Sequence, residues 1–278
     1  MSKKEISPHN LIPIIDSEII PREQLFPSLL QKIAQEREKP GTSETLIPQI
    51  ENILNHAEKL GRCSVVVQLY QEEFLSAQHM VMEEKSKGPK GGSKLRTIKG
   101  LLTMKNSIRD MTDYQEAHHD QIEPVVKARS FRFLGRYADY RYQYKQSEEF
   151  YKKSLEFFDS QTEPKIRYHR LELLGFISYS LINQGKEDRG LNLMDQVLAD
   201  YDQSVEGQWL KSHDYYTWAV WKSGVEIRTA KHLIEHSDST QAKELINDAE
   251  TILKMPDGNT EIFGLRIGEL NHLKASIH

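Results

Sequence analysis

The chain has 278 residues, of which 38% are hydrophobic, 28% charged and 9% aromatic. That apolar share lies below the roughly 45–50% of ordinary globular domains, and the aromatic share is too high for a disordered chain, so the composition fits a folded protein with much surface for its core. A formal charge of −4, from 37 basic and 41 acidic residues, argues against a chain built as a whole to coat nucleic acid.

Residues 1–21 read as an extended arm. Pro8, Pro13 and Pro21 interrupt the short apolar pieces, and proline disfavours helix in the residue before it. Its isoleucines would gain from packing on the body or on a second subunit, which leaves a homodimer open. Residues 22–84 predict three helices. The first, about Gln24–Glu38, carries Leu25, Leu29, Leu30, Ile33 and Ala34 on one stripe. The second begins after Thr42 or Ser43 as cap, follows the helical period through Leu46, Ile50, Ile53, Leu54 and Ala57, and ends at Gly61. The third, about Ser64–Glu84, carries Val66, Val67, Tyr70, Phe74, Ala77 and Val81.

Residues 85–94 pack three glycines, a proline, two serines and four lysines into ten positions, a composition that reads as a flexible basic linker and a domain boundary. Beyond it a fourth helix, about Leu95–Glu116, is expected, and helices continue to the C-terminus. Pro124, Pro164, Gly185, Gly207, Asp238 and Pro256–Gly258 punctuate them. No alternating β-branched run predicts a strand, so the fold class is all-α.

The segment 131–159 carries the most specific pattern. Phe131, then Leu134-Gly135, then Ser147, Tyr151 and Ser154-Leu155 match the aromatic, Leu-Gly, small and aromatic positions of a helical hairpin. Ala138 and Asp159 depart from it, standing where tyrosine and proline are usual. Small residues at Gly135 and Ser147 would let helices approach closely. A second unit runs from Leu174, with Ile177-Ser178, Leu181, the turn at Gly185, and then Gly190, Met194 and Val197. In a third, Ala242, Ile246 and Ala249 fill the second helix, and the first, about His213–Glu235, is longer than the pattern. On these residues the chain resembles tetratricopeptide-repeat proteins over about 122–255. The spacings from Ser147 to Gly190 to Ala242, 43 and then 52, mark a divergent version of the 34-residue repeat.

The resemblance implies a helical solenoid over 95–278, closed by a capping helix near Thr260–Ile277. It implies a concave groove lined by the first helix of each pair. The positions that would face a bound peptide are Arg129, Arg132, Arg136 and Tyr140, then Tyr179 and Asn183, then Arg228 and Lys231. Three arginines at spacings of 3 and 4 share one helical face, and a guanidinium grips carboxylates in a planar fork. The expected function is an adaptor or scaffold binding another protein or peptide, acidic in character. A competing expectation is a peptide-responsive sensor with residues 42–116 as an output or dimerisation module. In the bland alternative, Asp139, Glu148 and Glu149 simply neutralise the arginines.

Other features carry less. Cys63 excludes an internal disulfide and reads as a small buried residue near a helix start. The glycines and lysines at 88–94 lack the order of a phosphate loop. Lys85, Lys87, Lys90, Lys94, Arg96 and Lys99 form a basic segment, read as a solvated linker ahead of a nucleic-acid contact. His118, His119, Asp120 and Glu123 are metal-capable, but adjacent helical histidines point about 100° apart. Trp209, Trp218 and Trp221, with Tyr215 and Tyr216, are expected in the core, or else as an apolar contact site. No catalytic constellation, metal or cofactor is called for. With no apolar run of about 18 residues and no signal segment, a cytoplasmic protein with no membrane contact is expected.

Overall fold

The computed structural model describes residues 22–37, 39, 41–87, 91–236, 239–254, 258, 260 and 263–276. The expected arm at 1–21 lies outside them. Among the described residues the chain is all-helical, with helices packed in neighbouring pairs and no strand. None of these helices is long and apolar enough to cross a membrane. The chain divides into two compact units, 1–127 and 128–278.

The first unit holds α1 (Arg22–Arg37), α2 (Ser43–Lys59), α3 (Cys63–Ser86) and α4 (Lys94–Ala117). Phe26, Leu29 and Ile33 of α1 pack against Leu46, Ile50, Ile53 and Ala57 of α2 and against Val66 and Leu69 of α3. Leu29, Ile33, Leu46, Ile50, Ile53, Ala57 and Val66 belong to the predicted stripes, and Phe26 and Leu69 join them. Gly61 closes α2 with φ of +63°, and the Arg62 amide donates back to the Ala57 carbonyl, a turn that glycine enters without penalty. The expected Thr42 cap does not form. Its hydroxyl donates instead to the Glu36 and Lys39 carbonyls, tying off the end of α1. Cys63 is buried, as expected.

The glycine-rich stretch joins α3 to α4, and these two helices pack along each other inside the first unit. A Cβ at Gly100 would come within 2.7 Å of the Val81 side chain and 3.0 Å of the Ala77 carbonyl, so the glycine permits that approach. Ser93 caps α4 by accepting from the Arg96 amide. Glu84, buried beneath, accepts from the Ser93 amide at 2.6 Å and from Lys87 and Arg96. Lys99 reaches Glu44. Three cations of the basic segment are thus held by carboxylates.

A short 3-10 turn, His119–Gln121, precedes α5 (Pro124–Tyr140), in whose first turn the division into units falls. Then follow α6 (Tyr144–Asp159), the single-turn α7 (Pro164–Arg167), α8 (His169–Asn183), α9 (Glu187–Gln203), α10 (Val205–His213), α11 (Tyr215–Glu235), α12 (Ser239–Ile252) and α13 (Gly264–Ala275). Pro164 does not merely stop α6; it opens α7 at its first position. Gly207, expected as a break, lies in the first turn of α10. A Cβ there would sit 2.4 Å from the Asp200 and Tyr201 carbonyls, so glycine lets α10 fold back on the end of α9.

Gly135 packs on the ring of Tyr151, at a distance where an added Cβ would clash at 2.4 Å. Ser147 is fully buried and shares a 2.8 Å hydrogen bond with Ser180 of α8. In the next pair Ser178 donates to Met194 Sδ at 3.3 Å, and a Cβ at Gly190 would meet the Ser178 carbonyl at 2.9 Å. Partners stand 16 residues apart in both pairs, Gly135 with Tyr151 and Ser178 with Met194. Gly185 makes the α8–α9 turn at φ +76°. The α5–α6 turn has the same hydrogen bonds, with Tyr142 in the left-handed region at φ 58°. The helices α7 and α10 pack on each other, joined by an Arg167–Glu206 ion pair of 2.9 Å. Their insertion lengthens the spacing between successive pairs. The remaining core joins α8 through α13, with Tyr201, Trp218, Ala230, Ile246 and Phe263 at its centre.

Candidate functional site

Helices α5 and α8 meet through a ladder of polar side chains with constant offset. Arg129 Nη2 donates to His169 Nε2 at 2.8 Å, 40 residues on. Arg132 pairs with Glu172 at 2.8 Å, and Arg136 lies 5.5 Å from the centre of the Phe176 ring. Spacings of 3 and 4 on both helices put these six residues on facing stripes. The Arg132 and Glu172 side chains are only 11% and 7% exposed, so this pair lies far from bulk water.

Arg228 of α11 approaches from the other side, 5.2 Å from the same Phe176 ring. Burial pulls the Arg136 guanidinium below the usual arginine range, and the neighbouring Arg132 adds to it. Burial does the same to Arg228, with Arg266 of α13 as its repelling neighbour. Both residues nevertheless keep part of their surface accessible. Gly175 and Gly224 make room for them: a Cβ at Gly224 would stand 3.1 Å from Arg266 Nη2 and 3.3 Å from Arg228 Nη1.

Carboxyl groups stand among these guanidiniums. Arg266 pairs with Glu269 on its own helix, and Arg132 with Glu172. Asp139 accepts from Tyr151 at 2.6 Å and from Ser180 at 3.4 Å; burial raises its pKa, against the pull of the Ser147 and Tyr151 hydroxyls and of Arg228 and Arg136. Among the described residues, Glu172, Glu269 and Asp139 thus stand beside Arg132, Arg266 and the Arg136 and Arg228 guanidiniums. His169 adds no charge, because burial and then Arg129 and Arg132 push its pKa well down. Arg228 has no hydrogen bond and no ion pair among the described residues, and its Nε is buried without a partner.

Four of the expected groove residues, Arg129, Arg132, Arg136 and Arg228, thus come together. Tyr179 borders them, half-buried and 6.2 Å from Tyr144, and Tyr140 lies near Arg136. Asn183 instead donates to the Tyr179 carbonyl of its own helix, and Lys231 is exposed, with Glu235 one turn on. Of the acids expected to neutralise the arginines, Glu148 goes to Lys152, Lys186 and Gln184 instead. Glu149 is exposed. Glu172, Arg266, Glu269 and Phe176 were not expected. They belong to the next helices along, and a 34-residue register does not align them with Arg132 and Arg136.

The tryptophans separate. Trp218 is core, donating Nε1 to the Tyr201 carbonyl at 3.0 Å. Trp209 and Trp221 remain partly buried around Tyr168, at 5.5 and 5.7 Å between ring centres, and Trp221 also meets His169. They give the arginine ladder an aromatic border at its Arg129 end. In the first unit His118 turns onto Tyr114 and His119 onto Asp120, so the two imidazoles do not converge. No protein-family model, no curated protein and no solved structure matches this chain.

Proposed function

We propose that residues 128–278 form a divergent tetratricopeptide-like stack that binds another protein through an acidic segment or a C-terminal carboxylate. The carboxylate is received by Arg136 and Arg228, with Arg266 behind them and Phe176 as the floor. The observation that carries this reading is Arg228. Burying a guanidinium costs several kcal/mol unless a partner compensates, and the described residues give this one no hydrogen bond or ion pair, only the Phe176 ring and the fields of Glu269 and Asp139. A ligand carboxylate supplies that pair. Pairs of helices with partners 16 residues apart, and close approaches at Gly135 and Gly190, support the solenoid reading. The aromatic border of Trp209 and Trp221 would take an apolar side chain of the same segment.

Fluorescence anisotropy with peptides tests this. Peptides with a free C-terminus and acidic residues are expected to bind, and amidated, acid-to-amide versions to bind at least tenfold more weakly. Arg228→Gln, checked for folding by circular dichroism, is expected to abolish that discrimination. Equal binding of acidic and neutral peptides would refute the reading.

A further inference from the structure

The start of α9 and the end of α11 bring together three side chains that the arginine face does not use. Glu187 stands at the first position of α9, His232 in the last turn of α11, and His236 just past its end. One ligand-capable atom from each lies within 4.8 Å of the other two. His232 Nε2 is 2.8 Å from Glu187 Oε1. The two imidazoles, four residues apart on one helical face, lie with ring centres 4.1 Å apart and tilted by 34°.

The hydrogen bonding of His236 fixes which of its nitrogens is open. Nδ1 stands 2.9 Å from the His232 carbonyl oxygen. A carbonyl only accepts, so Nδ1 carries the proton and Nε2 keeps its lone pair. A backbone carbonyl holding the far nitrogen of an imidazole is the usual support of a metal-ligating histidine. The alternative, a plain His232–Glu187 ion pair, accounts for two of the three residues and leaves the second imidazole stacked on it without a role.

We propose that Glu187, His232 and His236 bind one zinc ion, with water in the fourth position. Two imidazoles and a carboxylate suit zinc over magnesium or calcium, which prefer all-oxygen shells. Tetrahedral bonds of about 2.0–2.1 Å place ligand atoms about 3.3 Å apart. Glu187 and His232 are already closer than that, and His236, exposed at the helix end, closes the remainder by side-chain rotation. The ion ties α9 to α11 and leaves one coordination position open to a ligand.

Calorimetric titration of zinc into the metal-free full-length chain tests the site. One equivalent is expected to bind with micromolar or tighter affinity and to raise the melting temperature. Glu187→Gln and His236→Ala, both at accessible positions, are each expected to weaken binding at least tenfold and to remove the thermal shift. His119→Ala, at an exposed histidine of the first unit, is expected to change neither. Cobalt(II) substitution should give the visible absorption of a tetrahedral site. Absence of stoichiometric uptake, or uptake unchanged in both ligand variants, overturns the proposal. So does loss of binding in His119→Ala.

Discussion

Glu73 shows what burial does to a single ionisable side chain in this fold. It lies on α3, 8% exposed, accepts a hydrogen bond from Ser107 of α4 at 2.7 Å, and feels the charges of Glu51 and Asp110. Burial raises its pKa from 4.5 to about 7, against the lowering effect of the Ser107 hydroxyl. In the unfolded chain the carboxyl ionises near its ordinary value, while the folded state holds the proton. Between those values unfolding releases a proton, so stability falls as pH rises, and the full cost stands above the folded pKa. The size of that cost is on the order of 3 kcal/mol. Glu73→Gln keeps the acceptor for Ser107 and removes the charge. Urea denaturation is expected to show the variant close to the native chain at pH 4.5 and about 3 kcal/mol more stable than it at pH 8. Parallel stability curves across that range would mean that Glu73 stays solvated in the folded chain.

At the scale of helices, the approach of α5 and α6 depends on one missing methyl group. A Cβ at Gly135 would lie 2.4 Å from the Tyr151 ring, and Tyr151 cannot retreat: it is fully buried, stacked on Phe176 at 5.0 Å, and its hydroxyl donates to Asp139. Alanine gains about 1 kcal/mol of helix propensity over glycine. Overpacking costs about 1–3 kcal/mol, and here it also strains the Asp139 hydrogen bond. Gly135→Ala is therefore expected to lower stability by about 2 kcal/mol, read as a drop in the denaturation midpoint; a gain would show that the helices are not in contact there. The role of Gly135 was legible in the sequence because helical period and small-residue spacing are local signals. So were most helix boundaries, to within a few residues. The Arg132–Glu172 and Arg228–Phe176 contacts were not, since they depend on how far one pair of helices is displaced along the next. The inserted α7 and α10 set that displacement, and α10 was hidden by a glycine that reads as a helix breaker. Thr42 was misread for a related reason: its hydroxyl can cap the helix ahead or bond the carbonyls behind, and only the end of α1 decides between them.

For the molecule as a whole, a net charge of −4 predicts a weak, negative far field, whereas five guanidiniums crowd one face of residues 128–278. The two act at different ranges. Beyond a Debye length of roughly 10 Å at 0.1 M salt the acidic surface dominates, which discourages adhesion to long polyanions. Within the arginine-lined face, burial depresses the pKa of Arg136 and Arg228, and charges so surrounded are screened less by salt than exposed ones. The proposed binding of an acidic peptide should therefore weaken with salt without vanishing. Raising sodium chloride from 50 to 500 mM is expected to cost about tenfold in affinity, because the approach of the peptide is screened while its buried carboxylate is not. A much steeper loss would place the contacts on exposed lysines, where screening is complete. An affinity indifferent to salt would assign the binding to the Trp209–Trp221 border, since apolar burial carries no such dependence and strengthens slightly as salt rises.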